Sequence, residues 1–285
     1  MKAGNRLPGH LVRLAAITSG ILIIAVFLLM LYLGWPLFAS GQFLALLSQP
    51  WQPMKGVYGI APMVAGSLSI ALLGLIISLP ISLGTAFIAT VLAPPAFRRV
   101  VIGMVRFMAG IPTVVYGFVA VFLLVPFMRA QITGGSGFNI CSAAIVLAVL
   151  IAPTMVSFFV IGITSVPNEY CQAVDALGGR PAQKLLYLIL PHAWPSIVSG
   201  TVMGLGRAMG DTLISLMVAG NSIAIPGSLS DSARTLTAHI ALVIAADFDS
   251  MEFKSIFACG LALYVFTFFI VAGVRLADKG GGRLL

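Results

Sequence analysis

The feature that most constrains this chain is a series of long apolar runs that carry almost no charge. The first, 14–35, contains 22 residues without a charged side chain, and a helix of that length crosses the roughly 30 Å hydrocarbon core of a bilayer. Five further runs follow, at about 60–93, 107–127, 140–166, 195–219 and 256–276. The pattern predicts an all-α membrane protein, with six transmembrane helices forming a single domain over residues 1–285.

The composition agrees with this class and argues against a soluble protein. Of the 285 residues, 60% are hydrophobic and 8% are charged, whereas about 25% of the residues of a soluble domain are charged. The net charge of +8 comes from lysines and arginines in short loops between apolar runs, so no nucleic-acid partner is expected. The first run is longer than the apolar core of a signal peptide, which favours a retained N-terminal helix at about 14–35.

The positive residues also predict which side of the membrane each loop faces. With six crossings, eleven lysines and arginines lie on the side that holds both termini, four lie on the other side, and Arg207 lies within a run. Because cytoplasmic loops carry the excess of positive charge, both termini are expected in the cytoplasm of a prokaryote, with the chain in its plasma (inner) membrane. The polar segment 167–191 then also faces the cytoplasm.

Glycine and proline residues inside the apolar runs have two readings. Pro80 removes a helix hydrogen bond and predicts a kink or break in the second run. Gly110, Pro112 and Gly117 in the third run indicate either a broken helix that lines a pathway and acts as a gate or small-residue packing sites between helices.

One pair of opposite charges lies inside an apolar run. Arg207 and Asp211 are four residues apart, so on a continuous helix they would share a face. Ionisable side chains at membrane depth are usually functional, and a guanidinium matches the oxygens of phosphate. The two residues are therefore candidates for a substrate pathway, and the alternative is a structural ion pair without contact to substrate.

The segment 167–191 is predicted to form two short helices around a glycine turn. Pro167 disfavours continuation of the fourth transmembrane helix, Gly178 and Gly179 interrupt the next helix, and Pro181 suits the start of a second helix that extends to Tyr187. Such a helix–glycine–helix unit protrudes from the membrane and fits a groove in a partner. The alternative is an ordinary amphipathic loop on the membrane surface.

The spacing within this segment resembles the EAA loop of ABC importer permeases. Gln172, Ala173 and Val174 occupy the first triplet of that motif, Gly178 follows after three residues, and a Leu-Pro pair ends the motif at Leu190 and Pro191. The main departure is Gln172, which stands where the family has glutamate, and Glu169 lies one turn upstream. We call residues 167–191 the coupling loop, because the resemblance implies that they dock into a cytoplasmic ATPase. The residues expected to make this contact are Glu169, Gln172, Ala173, Gly178, Leu190 and Pro191.

The resemblance extends over about residues 50 to 276, and a permease core is expected at about 60–276. Within the importers the chain is similar to the membrane subunits for inorganic phosphate, and among these to the one conventionally listed first. The stretches 110–117 (GIPTVVYG) and 204–212 (GLGRAMGDT) carry this similarity. It implies a type I ABC importer fold and four kinds of partner. These are a second homologous permease, two ATP-binding subunits, an extracytoplasmic phosphate-binding protein and the lipid membrane.

The sequence contains no catalytic set, so the chain is not expected to be an enzyme. It lacks a Gly-x-x-x-x-Gly-Lys nucleotide loop, so ATP and Mg²⁺ are expected on the partner ATPase and no cofactor on this chain. The three cysteines show no metal-ligand spacing, and no metal site is predicted. The alternatives are a permease for another oxyanion, such as tungstate, molybdate or sulfate, and a secondary anion carrier.

Overall fold

The computed structural model describes residues 6–39, 43–131 and 135–281, and in these residues the chain is almost entirely helical. The helices are α1 (Arg6–Ala39), α2 (Phe43–Ser48), α3 (Ala61–Phe87), α4 (Pro95–Ala109), α5 (Thr113–Phe122), α6 (Leu124–Gln131), α7 (Ile140–Thr164), α8 (Asn168–Ala176), α9 (Pro181–Lys184), α10 (Leu190–Gly210), α11 (Leu213–Val218), α12 (Leu236–Val243) and α13 (Met251–Gly281). A two-stranded hairpin pairs β1 (Trp51–Gln52) with β2 (Val57–Tyr58).

Five helical stretches among the described residues are long and apolar enough to cross a membrane: Leu11–Trp35, Ala61–Leu92, Ile140–Thr164, Pro181–Gly210 and Met251–Gly273. A sixth crossing is reached if α4 and α5 count as one span, although they meet at 93°. The predicted all-α membrane fold is therefore confirmed, and the described residues contain five candidate crossings, or six if the bent pair is one crossing.

Helix α7 lies at the centre of the packing, between α3 and α10. Its fully buried side chains recur every four residues, at Leu147, Ile151, Met155 and Phe159. Glycines on α10 let this ridge approach closely, since a Cβ on Gly204 would lie 2.8 Å from Met155 Cγ and one on Gly200 would lie 2.9 Å from Phe159. Small residues at helix contacts are the usual means of packing helices within a membrane.

The N-terminal end of α7 is covered by a cap segment, residues 219–235. The backbone N–H groups of Ile140 and Cys141 donate to the carbonyls of Asp231 and Leu229, each at 3.0 Å. Asn139 adds a side-chain cap, because its Oδ1 accepts from the N–H of Ser142 at 2.8 Å. Donors that would otherwise lack intrahelical partners are thereby satisfied.

Helix α1 packs against α13, where the rings of Phe27 and Tyr264 lie 4.7 Å apart. The helix is longer than the predicted 14–35, because it begins at Arg6 and continues through Pro36 to Ala39. Trp51 is buried, with 6% of its surface exposed. It packs between the rings of Tyr58 and His239.

The sequence predicted a kink or a break at Pro80, and the structure shows no break there. Helix α3 is continuous from Ala61 to Phe87 with Pro80 inside it. A proline removes one backbone hydrogen bond, but ending the helix in a membrane would expose several more unsatisfied groups. Continuation is the less costly solution here.

The third apolar run is divided into three helices instead of one. Helix α4 ends at Ala109, where the N–H of Gly110 bonds back to Phe107, and α5 begins directly after Pro112. Tyr116 bridges the bend, because its hydroxyl donates to the carbonyl of Met108 at 2.8 Å. Gly110 and Pro112 therefore flank a break, as predicted from the sequence. Gly117 does not, since it lies inside α5.

The fifth span begins at Pro181, well before the expected start near 195. Helix α9 passes into α10 through one π-helical turn, Leu185–Ile189, in which the N–H of Leu190 bonds to the carbonyl of Leu185. A matching π turn, Ile88–Leu92, ends α3, with Ala93 bonded to Ile88. Each turn stands just before a proline, which has no N–H to continue the regular ladder.

Candidate functional site

A polar cavity of about 330 Å³ lies where the two phosphate-permease-like stretches meet α7. It is lined by Thr113, Leu150, Arg207, Gly210, Asp211, Thr212 and Leu213. Thr113 is the first residue of α5, directly after the bend, and the residues from Gly210 to Leu213 span the junction of α10 and α11. Two segments about 100 residues apart in the sequence thus form one site.

Arg207 occupies the last turn of α10 and is half-buried. Its Nη1 donates to the hydroxyl of Thr154 on α7 at 2.9 Å. This bond uses one of the five donors of the guanidinium and fixes its direction beside the cavity.

Asp211 does not share a helix face with Arg207, so that prediction is wrong. Helix α10 ends at Gly210, and the backbone of Asp211 is extended. Its carboxylate faces α11 instead, where Oδ2 accepts from the N–H of Ile214 at 2.9 Å. Within the described residues, Asp211 forms no salt bridge with Arg207, since Asp175 and Lys184 are the one pair within that distance.

The backbone around Asp211 is held from a third element. The hydroxyl of Thr237 on α12 donates to the carbonyl of Asp211 at 2.8 Å, and the residue is 8% exposed. The connection between α10 and α11 is therefore anchored, and Arg207 lines the cavity together with Thr113 and Thr212. A guanidinium with nearby hydroxyl donors is suited to an anion with several oxygens.

Two of the predicted gate residues, Pro80 and Gly117, do not line this cavity. Pro80 is exposed on α3 and is not among the lining residues. Gly117 is buried on α5 against α11, where a Cβ would lie 2.8 Å from the sulfur of Met217. The reading of Gly117 as a packing position, one of the two alternatives from the sequence, accounts for this contact.

An apolar cavity of about 320 Å³ lies on the other side of α5, between α5, α6 and α7. Ile111, Val119, Leu124 and Val149 are among its lining residues. It offers almost no hydrogen-bonding group, so it cannot replace the hydration of an anion. The polar cavity at Arg207 is the candidate for a substrate pathway.

The coupling loop has the helix–glycine–helix form expected from its sequence. Helix α8 ends in a Schellman motif, in which Gly178 N–H bonds to Asp175 O and Gly179 N–H bonds to Val174 O. Gly178 has a φ of +75°, a conformation that residues with a Cβ rarely adopt. The structure therefore favours glycine at this position of the motif.

The predicted coupling residues are displayed on the surface of this loop. Glu169, Gln172, Ala173, Gly178 and Pro191 are exposed, and Leu190 is half-buried at the start of α10. Two apolar side chains nearby are strongly exposed, Leu177 at 88% and Tyr187 at 81%. Exposed apolar groups rimmed by polar ones are typical of a protein contact.

Three features of these sites were not predicted from the sequence. Thr154, the partner of Arg207, lies 53 residues away in the sequence. Nothing in the sequence indicates that these two residues are in contact. Thr113 and Thr212 lie within stretches that carried the resemblance, so the stretches were found but not these hydroxyls. The pairing of Asp175 with Lys184 was also missed, although both residues are visible as charges in the loop.

Comparison with known proteins gives a match over most of the chain. A family described as "Binding-protein-dependent transport system inner membrane component" matches residues 78–280, a range that contains the polar cavity and the coupling loop. The chain is 32% identical over 233 residues to the probable ABC transporter permease protein YqgH of Bacillus subtilis, which covers 81% of this chain and 75% of that protein.

Two further comparisons cover almost the whole chain. It is 29% identical over 313 aligned positions to the phosphate transport system permease protein PstC of Pasteurella multocida, with 98% of this chain and 97% of that protein covered. Its fold is similar to a chain in the crystal structure of a bacterial alginate ABC transporter in complex with an alginate pentasaccharide-bound periplasmic protein. That likeness has a TM-score of 0.65 at 14% identity, with 96% of both chains covered.

Proposed function

The chain belongs to the family of binding-protein-dependent transport system inner membrane components, and from this premise we propose that it is a permease subunit for ATP-driven uptake of inorganic phosphate. The family is a transport component and not an enzyme. As an ABC importer permease, the chain forms part of a translocation pathway in the membrane.

The observation that carries the choice of cargo is the polar cavity at Arg207. Its guanidinium is oriented by Thr154, and Thr113 and Thr212 line the same cavity. Phosphate is charged near neutral pH, and guanidinium and hydroxyl groups are the kinds of donor that bind its oxygens. The relative named as a phosphate permease, which aligns over almost the whole chain, supports the same cargo.

The proposed complex contains this chain, a second homologous permease, two ATP-binding subunits and an external phosphate-binding protein. The two permeases enclose the pathway, and the coupling loop docks into an ATP-binding subunit. ATP and Mg²⁺ bind to those subunits. Support for an external partner comes from the similar alginate transporter, whose structure includes a periplasmic protein.

The proposed orientation places both termini and the coupling loop in the cytoplasm and the cap segment outside. The excess of lysine and arginine on the side of the termini supports it. In this orientation the cavity lies between the external binding protein and the ATPase. The exposed face of the coupling loop, with Leu177 and Tyr187, is then available to the cytoplasmic subunit.

Uptake of labelled phosphate into vesicles that hold the whole complex tests the proposal. We expect ATP-dependent phosphate uptake that an excess of sulfate, molybdate or tungstate barely reduces. Arg207→Gln should abolish uptake while the complex still assembles, and Arg207→Lys should retain part of it, because lysine keeps the charge but loses the planar fork.

Three outcomes would contradict this proposal in different ways. Uptake of tungstate or molybdate without phosphate would change the cargo and leave the importer intact. Loss of assembly in Arg207→Gln would assign Arg207 a structural role. Phosphate uptake that needs an ion gradient and no ATP would favour a secondary anion carrier.

A further inference from the structure

Asp175 and Lys184 form an ion pair across the glycine turn of the coupling loop. Lys184 Nζ lies 2.7 Å from Oδ2 of Asp175 and also contacts Oδ1. Among the residues that the structure describes, this is the only salt bridge. It is also the one side-chain hydrogen bond or ion pair there that joins α8 to the helix after the turn.

The backbone of the turn holds α8 only weakly to α9 and the fifth span. Both backbone bonds of the Schellman motif lie within residues 174–179, so neither reaches α9. No atom lies within 4 Å of a Cβ placed on Gly178, so packing does not brace the turn from that side. Gly179 packs against Val174 of α8, but this contact also stays on the α8 side of the turn.

The position of Asp175 makes the pairing significant for α8. An acidic residue in the last turn of a helix faces the negative end of the helix dipole, which is unfavourable unless a cation is close. Lys184 supplies that cation, and its side chain is only 19% exposed, whereas that of Asp175 is 56% exposed. The pair therefore joins an exposed residue of α8 to a largely shielded residue of the fifth span.

We propose that the Asp175–Lys184 pair is a strut that transmits movement of α8 to the fifth span, an inference that rests on the proposed docking of the coupling loop to an ATPase. Lys184 belongs to the continuous helical stretch Pro181–Gly210. The last turn of that stretch carries Arg207. A displacement of α8 that carries Lys184 with it is therefore delivered to the helix that lines the polar cavity. Asp175 and Lys184 are positioning residues and need not touch substrate.

The test uses the complete complex in vesicles and measures phosphate taken up per ATP hydrolysed. Asp175→Asn and Lys184→Gln each remove the charge pair and keep the approximate size of the side chains. We expect both variants to assemble with the ATPase and to hydrolyse ATP at the basal rate. Uptake per ATP should fall by roughly two- to fivefold, the range that corresponds to losing one partly exposed ion pair.

An exchange variant and a matched control separate transmission from a general loss of structure. Asp175→Lys combined with Lys184→Asp restores opposite charges across the turn and should recover most of the coupling. Asp249→Asn removes an exposed carboxylate at a distance from the coupling loop and should leave the ratio unchanged.

The possible outcomes separate a failure of the proposed strut from a failure of the proposed transport function. Normal uptake per ATP in both single variants, with a coupled wild-type complex, would overturn the strut alone. Loss of ATPase binding in the single variants would also overturn it, because the pair would then serve docking. A wild-type complex that shows no ATP-driven uptake would instead contradict the proposed function.

Discussion

At the scale of single residues, His239 shows how burial controls a titratable side chain. Its imidazole is fully buried on α12, and its Nδ1 has no hydrogen-bond partner among the described residues. Burial, together with the nearby charge of Arg234, lowers the pKa of His239 to about 4. The ring is therefore neutral at physiological pH and acts as a packing partner of Trp51.

This burial predicts a pH dependence of stability. Below about pH 6.5 the unfolded chain binds a proton at His239 that the folded chain excludes, so stability falls as the pH decreases toward 4. At pH 5 the loss from this residue is roughly 2 kcal/mol. Thermal unfolding of the purified chain at pH 7 and pH 5 should therefore show a larger decrease for wild type than for His239→Asn. Equal decreases would show that His239 is accessible to protons in the folded state.

Only some of the residues at the polar cavity were predicted from the sequence. Arg207 and Asp211 stand out because charges are rare inside apolar runs, and both line the cavity. Their pairing was predicted from helical spacing, which assumed that the helix continues past Gly210. Thr154 has no such signature, since a threonine in a membrane helix commonly bonds its own backbone. Its role depends on how α7 packs against α10.

At the scale of elements, the turn at Gly178 gives a direct test of the coupling loop. A residue with a Cβ is destabilised by about 1–2 kcal/mol in the left-handed conformation, which corresponds to about a tenfold lower population of the native turn. Gly178→Val should therefore reduce uptake about tenfold while the protein still inserts and accumulates in the membrane. Uptake in vesicles and the amount of protein in the membrane fraction are the two measurements.

The matched control for this change is Gly178→Asn. Asparagine tolerates the left-handed conformation better than valine, and nothing lies within 4 Å of the added Cβ, so its uptake should stay close to wild type. Equal defects in the valine and asparagine variants would mean that backbone conformation is not what this glycine supplies.

The proline-containing elements show where sequence reasoning about helices succeeds and where it fails. Pro112 follows Gly110, and the chain bends sharply there, whereas Pro80 stands alone within α3 and the helix continues. A proline removes one hydrogen bond in either case. The outcome depends on whether neighbouring groups, such as the hydroxyl of Tyr116 at the bend, stabilise the broken form. Such neighbours are known only once the fold is known.

At the scale of the whole molecule, the expected topology is open to labelling. In a variant without native cysteines, Ser230→Cys in the cap segment should react with a membrane-impermeant maleimide in intact cells. Ala182→Cys in the coupling loop should react only after the membrane is permeabilised. Both positions are exposed, so accessibility reports the side of the membrane. Labelling of Ala182→Cys in intact cells would reverse the orientation.

The fold as a whole was predicted more completely than its parts. Hydrophobic length predicted the membrane helices, and the coupling-loop spacing predicted the family, which the match over residues 78–280 confirms. The start of the fifth span was predicted too late because the polar residues from 181 to 194 lie on a helix that continues into the apolar run. The polar residues indicated that this segment is exposed, but they did not indicate where the helix of the fifth span begins.

The cap segment has a consequence for how the chain is made. The first two N–H groups of α7 find their acceptors in Leu229 and Asp231, which are synthesised about 90 residues later. At a translation rate of 5–20 residues per second, that delay is roughly 5–20 seconds. The central helix therefore enters the membrane before its own leading turn can be completed. The helices of this protein therefore cannot be completed one at a time during synthesis. The fifth span precedes the cap segment in the chain, so it is made before the N-terminal turn of α7 gains these two hydrogen bonds.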